Sequence, residues 1–225
     1  VHEQQPAPQE FTKRWSEVIR EWSLRYGKNV HGWWFDGSYN TAGWDDLEKP
    51  YNWSTWAAAC RAGNPDSVLA FNPGTDLPKA FSRLTKEQDY TAGEQNAFTA
   101  LPRQFPAPEG MVWHILAHLG TRWAKADGPQ HPDQAMIDYI RAVNAQGGVV
   151  SIEVAIDGRG AVDAPHFAQL KAFAAALRGC AAAVLSAMAR VGLMRPMSPA
   201  GLYAIPGISR PLWGCLRPAG SMLHD

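Results

Sequence analysis

The stretch His31-Gly32-Trp33-Trp34-Phe35-Asp36-Gly37-Ser38-Tyr39 decides the predicted fold. It is an apolar, aromatic run that ends in one carboxylate and is followed at once by glycine. Such a short run, closed by Gly37, predicts a buried parallel strand over 30–36 rather than a helix. Asp36 then lies at the carboxyl end of the strand, which is the end where parallel α/β folds carry their chemistry.

Helices and strands alternate on both sides of this stretch. A helix over 11–26 precedes it, and its apolar face is predicted to hold Phe11, Trp15, Val18, Ile19 and Trp22. Further strands are predicted over 67–72, 89–94, 111–116 and 149–156, and helices over 53–61, 77–84, 132–145 and 164–177. Such alternation is typical of α/β folds with a parallel sheet. Five strands in about 180 residues predict the second half, about strands 4 to 8, of a (β/α)8 TIM-type barrel.

Residues 179–225 differ in composition from the rest of the chain. They contain one acidic residue, Asp225, no lysine and four of the six methionines. We therefore predict a partial barrel domain over 1–178 and an atypical, acid-poor tail over 179–225. The tail is expected to be loosely ordered or to be translated out of frame.

The overall composition limits the classes of binding partner that the sequence indicates. Lysine plus arginine and aspartate plus glutamate both number 21, so the balance indicates neither nucleic acid nor an anionic membrane as a partner. No apolar run of about 18 residues predicts a transmembrane helix, and residues 1–5 lack the pattern of a signal peptide. No motif indicates a cofactor or a metal. The odd cysteine count argues against a disulfide framework and predicts buried or incidental thiols at Cys60, Cys180 and Cys215.

Two carboxylates at neighbouring strand ends form the candidate catalytic pair. Asp36 ends the first strand, and Glu94 ends the weak strand over 89–94. One ionised carboxylate and one protonated carboxyl are the minimal machinery for cleaving a glycosidic bond. The alternatives are a turn-forming aspartate before Gly37 and a surface glutamate in a loop. Asp89, Glu109 and Glu153 compete with Glu94 for the second role.

Aromatic and polar side chains near these acids are candidate substrate ligands. Flat aromatic faces at Trp33, Trp34 and Tyr39 suit the C–H groups of a sugar ring. Asn72 follows the second strand and is a candidate ligand for a hydroxyl. His114 is a second candidate, with a hydrogen-bonded core histidine as the alternative. Glu153 is predicted to contact substrate or to pair with an arginine.

Two segments resemble a known family. Tyr26-Gly27 followed by Trp33-Trp34-Phe35-Asp36-Gly37 resembles the fourth-strand segment of the α-L-fucosidases of glycoside hydrolase family 29. The segment over 147–160, GGVVSIEVAIDGRG, resembles that family's last barrel strand. The resemblance implies a retaining glycosidase with Asp36 as nucleophile, Glu94 as acid and base, and a fucosylated carbohydrate as substrate. It also implies a secreted or periplasmic parent protein.

The chain departs from the family pattern at two positions, and other functions stay open. Glu153 stands where the family usually has asparagine, and Ile156 where it has proline, which indicates a divergent branch. The family's early strands, which hold the fucose hydroxyls, have no counterpart in this sequence. The alternatives are a noncatalytic or degenerate carbohydrate-binding barrel and an inactive truncated fragment. An open half-barrel exposes two sheet edges, so self-association as a homo-oligomer is also left open.

Overall fold

The computed structural model of the protein describes residues 8–39, 41, 43–190, 195–197 and 202–204, and side chains as far as residue 177. Its helices are α1 (Gln9–Tyr26), α2 (Trp53–Cys60), α3 (Asp133–Ala145) and α4 (Ala164–Arg190). Its strands are β1 (Gly32–Phe35), β2 (Val68–Phe71), β3 (His114–His118), β4 (Val149–Glu153), β5 (Arg195–Met197) and β6 (Leu202–Ala204). None of the described helices is long and apolar enough to cross a membrane.

The chain forms two compact units. The first holds the chain up to Asn96 and the segment Pro102–Leu116, and the second holds Ala97–Leu101 and the chain from Ala117 onward. This division differs from the predicted partition at residue 178. The helix predicted over 164–177 continues as α4 to Arg190. The proposed nature of 179–225 stays a prediction, because most of that segment lies outside the described residues.

The first unit is built on parallel strand segments in chain order. β1 pairs with β2 in parallel, from Gly32 opposite Val68 to Phe35 opposite Phe71. Asp89 N–H then donates to a carbonyl of β2, that of Leu69, at 2.9 Å. Parallel bridges join Tyr90 to Val112 and Glu94 to Leu116. A mixed α/β fold with short parallel sheets is therefore confirmed, whereas closure of these strands into part of a barrel stays a prediction.

The strand predicted over 89–94 is reduced to these isolated bridges. Thr91 Oγ1 accepts a hydrogen bond from His114 N–H at 2.7 Å and donates one to His114 O at 2.8 Å. The Thr91 hydroxyl thus forms hydrogen bonds to the His114 main chain that, in a regular strand pair, the neighbouring main chain would form. Gly93 adds a positive φ of 64°, and a Cβ there would lie 1.9 Å from His114 O. The glycine allows this close approach of two backbones.

Aromatic packing forms the core of the first unit. α2 begins with a capping box between Asn52 and Thr55, and its Trp56 meets Phe35 edge to face at 5.3 Å. Phe35 also stacks on Phe71 at 5.4 Å. The buried cluster comprises Ile19, Trp44, Trp53, Trp56, Ala57, Ala59, Cys60, Leu69 and Phe71. Cys60 is free, and burial raises the pKa of its thiol to about 12.

α1 turns a different face inward from the one predicted. Its buried residues are Thr12, Ser16, Ile19 and Ser23, whereas Trp15 is 43% exposed and Trp22 is 48% exposed. Ser23 Oγ donates to Cys60 O at 2.7 Å and accepts from Gly63 N–H at 2.9 Å. Small side chains on this face let α1 approach the end of α2 closely. The prediction of an aromatic inner face is wrong for every member except Ile19 and the half-buried Phe11.

The second unit has its own core. β3 and β4 form a two-stranded sheet. α3 and α4 pack together, and Tyr139 OH of α3 donates to Ala100 O at 2.7 Å. The buried cluster comprises Phe98, Ala117, Leu119, Met136, Ile137, Ile140 and Phe173. The helix predicted over 132–145 and the strand predicted over 149–156 are confirmed in type, and the strand is shorter.

Candidate active site

The register of β1 and β2 brings Asp36 and Asn72 side by side. Phe35 and Phe71 end the two strands opposite each other, so the next residue of each strand is the polar one. The pairing continues, because Asn72 N–H donates to Phe35 O at 2.7 Å and Ser38 N–H donates to Asn72 O at 2.9 Å. Side chains alternate along a strand. Asp36 and Asn72 therefore share the face opposite to the two phenylalanines.

Glu94 reaches the same place from the third parallel segment. Its side chain is half-buried and accepts a hydrogen bond from Asn72 Nδ2. The same nitrogen donates to Asp36 Oδ1 at 2.9 Å. One amide group thus joins the two carboxylates that the sequence predicts as the catalytic pair.

The shared amide fixes how far apart the Asp36 and Glu94 oxygens lie. A protein hydrogen bond is about 2.9 Å long and the two N–H directions of an amide diverge by about 120°, which places the two acceptor oxygens about 5 Å apart. Two carboxyl groups about 5–5.5 Å apart suit a nucleophile and an acid that act on one anomeric carbon, whereas inverting sites need about 6.5–9.5 Å. One amide nitrogen therefore holds an oxygen of Asp36 and an oxygen of Glu94 close together.

Asn72 differs from the hydroxyl ligand that the sequence predicts. Its side chain is 0% exposed, and Nδ2 donates to both acids. Its Oδ1 accepts Gly74 N–H at 3.1 Å. The amide therefore faces protein groups, and the structure corrects its role from substrate contact to a link between Asp36 and Glu94. The position directly after a strand was visible in the sequence, but the cross-strand register that creates the link was not.

Trp34 and Tyr39 are candidate aromatic ligands that lie within three residues of Asp36 in the sequence. Trp34 precedes Asp36 by two residues and lies on the same face of β1. Its Nε1 donates to Ala92 O at 3.1 Å, across β2. The residue opposite Trp34 in β2 is the small Ala70, which leaves room for the indole. Tyr39 is exposed, and its ring lies beside Gly74.

Trp33 lies on the other face of β1 and is a packing residue. Its indole stacks on Phe35 at 5.9 Å, and its Nε1 donates to Cys60 O at 3.1 Å. It packs against the aromatic core of the first unit. The prediction that Trp33 provides a sugar-stacking face is therefore wrong, because strand alternation turns it towards α2.

His114 is a buried, hydrogen-bonded histidine, which is the alternative that the sequence left open. Its Nδ1 lies 3.0 Å from Thr91 O and 3.1 Å from Ala92 O, so that nitrogen carries the hydrogen. Burial lowers the pKa of its imidazole, and burial also raises the pKa of the neighbouring Tyr90 phenol. The exposed fraction of His114 is 7%, which corrects its predicted role as a substrate ligand.

The competing acids have other roles. Asp89 pairs with Arg61 at 2.7 Å and accepts Leu69 N–H at 2.9 Å, so it ties α2 to β2. Glu109 is exposed. Glu153 belongs to the second unit, where its Oε1 accepts Ala124 N–H at 3.0 Å, and it forms no ion pair with any arginine whose side chain the structure describes. A contact of Glu153 with substrate stays a prediction.

No family model and no curated protein matches the chain. Within the described residues, no group of three or more histidine, cysteine, aspartate or glutamate residues is arranged to hold a metal ion. Similarity to known proteins is found at the level of solved structures.

Three solved structures illustrate that similarity. The endo-fucoidan hydrolase MfFcnA4 of glycoside hydrolase family 107 matches with a TM-score of 0.55 and 16% identity, over 77% of this chain and 31% of its own. The related MfFcnA9 matches with a TM-score of 0.54 and 17% identity, over 77% and 37%. The α-L-fucosidase isoenzyme 1 from Paenibacillus thiaminolyticus matches with a TM-score of 0.53 and 16% identity, over 94% and 46%.

These matches concern the fold. The chain spans 31% to 46% of the length of the three neighbours, so it corresponds to a part of each. Membership of glycoside hydrolase family 29, which the sequence motifs suggested, is not established by them. The chain has a fucosidase-like fold whose structural neighbours are fucose-acting glycoside hydrolases.

Proposed function

We propose that this chain carries the catalytic carboxylates of a retaining glycoside hydrolase that cleaves α-L-fucosyl or closely related glycosidic bonds. The observation that carries the proposal is the single Asn72 amide that donates to both Asp36 and Glu94. The spacing that follows, about 5 Å, is typical of retaining enzymes. The sugar class is supported by the fold, since the neighbours named above are fucosidases and fucoidan hydrolases.

The reaction proceeds in two displacements at the anomeric carbon. In the first, a carboxylate oxygen of Asp36 forms a bond to that carbon while the bond to the leaving oxygen breaks, and Glu94 gives its proton to the leaving oxygen. In the second, Glu94 takes a proton from water, whose oxygen bonds to the anomeric carbon and releases Asp36. Two inversions restore the original configuration.

The surroundings of the two acids fit these roles. Asp36 is exposed, so a sugar ring can reach it. Gly37 N–H donates to Asp36 Oδ1 at 2.7 Å and, with Asn72, orients the carboxylate. Trp34 and Tyr39 offer aromatic surface for the C–H groups of the ring. Glu94 is half-buried, and its Oε2 accepts from Asn72 Nδ2, so its carboxyl group is held beside Asp36.

The test is turnover of an aryl α-L-fucoside such as 4-nitrophenyl α-L-fucoside. We expect Asp36→Ala to lower kcat by on the order of 10⁴-fold, because the covalent step loses its nucleophile. Azide should restore turnover in Asp36→Ala and give the inverted fucosyl azide. The control is Asp46→Ala, which removes an exposed acid that pairs with Lys49 at 3.6 Å and should leave kcat unchanged.

Two outcomes would contradict the proposal. Unimpaired turnover by Asp36→Ala would exclude Asp36 as the nucleophile. Binding of fucosylated glycans without any turnover by the wild-type chain would favour the noncatalytic carbohydrate-binding alternative, in which Trp34 and Tyr39 stack on sugar and the acids do no chemistry.

A further inference from the structure

We propose that Asn72 is a positioning residue that assigns one working oxygen to each catalytic carboxyl, Oδ2 of Asp36 for attack and Oε1 of Glu94 for proton transfer. This inference rests on the proposed function. It assigns a function to Asn72, a buried side chain that neither contacts solvent nor is placed to bind sugar.

Hydrogen bonds of its main chain and side chain fix the position and orientation of the Asn72 amide. Its main-chain N–H and C=O are both bonded to the β1 side, to Phe35 and Ser38. Its Oδ1 accepts Gly74 N–H at 3.1 Å. This last bond also decides which end of the amide is the donor, since Oδ1 is needed by a backbone N–H. Nδ2 therefore points at the acids, and rotating the side chain would break three hydrogen bonds.

The two oxygens of Asp36 are not equivalent. Oδ1 accepts two hydrogen bonds, from Gly37 N–H at 2.7 Å and from Asn72 Nδ2 at 2.9 Å. Oδ2 has no hydrogen-bond partner among the residues that the structure describes, and the side chain is exposed. Donors withdraw electron density from Oδ1 and fix the plane of the carboxylate. Oδ2 therefore keeps the freer lone pair and forms the bond to the anomeric carbon.

The two oxygens of Glu94 also differ in their hydrogen bonds. Its Oε2 accepts from Asn72 Nδ2, and within the described part of the chain its Oε1 has no hydrogen-bond partner. An oxygen that accepts an N–H is a poor place for the acidic proton. The proton therefore resides on Oε1 and passes to the leaving oxygen, and Oε1 later takes the proton of the attacking water. Asp36 Oδ2 and Glu94 Oε1 are thus presented to the substrate in both displacements.

The experiment compares Asn72→Ala with Asn64→Ala. Asn64 is a matched control in the same unit, because it is also buried, its Nδ2 donates to Val30 O at 2.9 Å and its Oδ1 accepts Asp66 N–H at 3.2 Å. Both of these hydrogen bonds are to backbone groups, and neither involves a carboxylate. A general loss of packing or of a buried amide should affect both variants, whereas loss of positioning should affect only Asn72→Ala.

We expect Asn72→Ala to lower kcat by about 10²-fold with KM changed by less than about threefold, since a small misplacement of reacting groups costs this much. The loss should be similar for aryl fucosides with good and poor leaving groups, because both displacements depend on Asn72. Azide should not rescue it, and Asn64→Ala should stay within about threefold of wild type. In a Glu94→Ala background the effect of Asn72→Ala should shrink, because the two residues act through one contact.

The outcomes separate this inference from the proposed function. If the wild type is active, Asp36→Ala is inactive and Asn72→Ala matches Asn64→Ala, positioning by Asn72 is overturned while the proposed function stands. Positioning by Asn72 would likewise be overturned if Asn72→Ala lowered kcat by the same factor in the Glu94→Ala background as in the wild type. If the wild type does not turn over any fucoside, the proposed function and the positioning role of Asn72 are both contradicted.

Discussion

Two adjacent tryptophans have opposite roles because they differ by one position in β1. Trp34 shares the face of Asp36, and its indole crosses β2 to reach Ala92 O. Trp33 shares the face of Phe35 and stacks on it. A shift of the register by one residue would exchange the two indoles and move the carboxylate to the helix side. The position of the nucleophile candidate therefore depends on the aromatic packing behind it.

At the same scale, His114 predicts a pH dependence of stability. Burial lowers the pKa of its imidazole in the folded state from the ordinary value of 6.5. The unfolded chain therefore binds a proton near pH 6.5, where the folded chain does not. Stability present above that pH is lost as the pH falls below it, at up to about 1.4 kcal/mol per pH unit.

The measurement is the free energy of urea unfolding between about pH 7.5 and pH 5.5. We expect it to fall less steeply towards acid in His114→Gln than in the wild type. The comparison uses slopes, because removing a buried histidine also lowers stability at every pH. Equal slopes in the two proteins would show that His114 gains its proton equally well in the folded state.

At the scale of elements, α1 shows how tertiary contacts decide which face of a helix is buried. Periodicity favours the aromatic stripe, yet small residues face the protein because Ser23 bonds to Cys60 O and to Gly63 N–H. A Cβ on Gly63 would lie 1.8 Å from Ser23 O, so glycine is required at this contact. Close approach of the two segments thus selects serine and threonine over tryptophan.

This arrangement predicts unequal costs of substitution along α1. Ile19 is 2% exposed, so Ile19→Ala should lower the free energy of unfolding by about 2–4 kcal/mol. Trp22 is about half exposed, so Trp22→Gln should change it by less than about 1 kcal/mol. Urea unfolding of the two variants checks the prediction. A larger loss in Trp22→Gln than in Ile19→Ala would mean that the aromatic stripe, not the small-residue face, is buried.

The sequence predicts elements better than it predicts the contacts between them. The helices over 11–26, 53–61 and 132–145 follow from periodicity and capping, and Asp36 follows from the rule that parallel strands carry function at their carboxyl ends. The bridging role of Asn72 depends on a contact between residues 36 positions apart, which no local pattern encodes. The loss of regular strand over 89–94 likewise depends on the Thr91 side chain, whose partner is on a distant segment.

At the scale of the whole molecule, the residues whose side chains the structure describes form two buried clusters rather than one. The cluster of the first unit is aromatic and includes Leu69, whereas that of the second lies around α3 and includes Met136. All the residues of the candidate catalytic pair and its bridge belong to the first unit. The stability of the first unit therefore sets the integrity of the site.

The separation of the two buried clusters predicts which helices and strands a core substitution destabilises. Leu69 is 0% exposed and Met136 is 2% exposed, so replacing either by alanine should cost about 2–5 kcal/mol. Segment-resolved hydrogen exchange should then speed up mainly in α2 and β2 for Leu69→Ala, and mainly in α3 and β4 for Met136→Ala, because proteins open in contiguous cooperative units. Leu69→Ala should therefore loosen Asn72, which directly follows β2, and lower turnover more than Met136→Ala does. Equal acceleration of exchange in all four elements by both variants would instead show that the two clusters unfold as one cooperative unit.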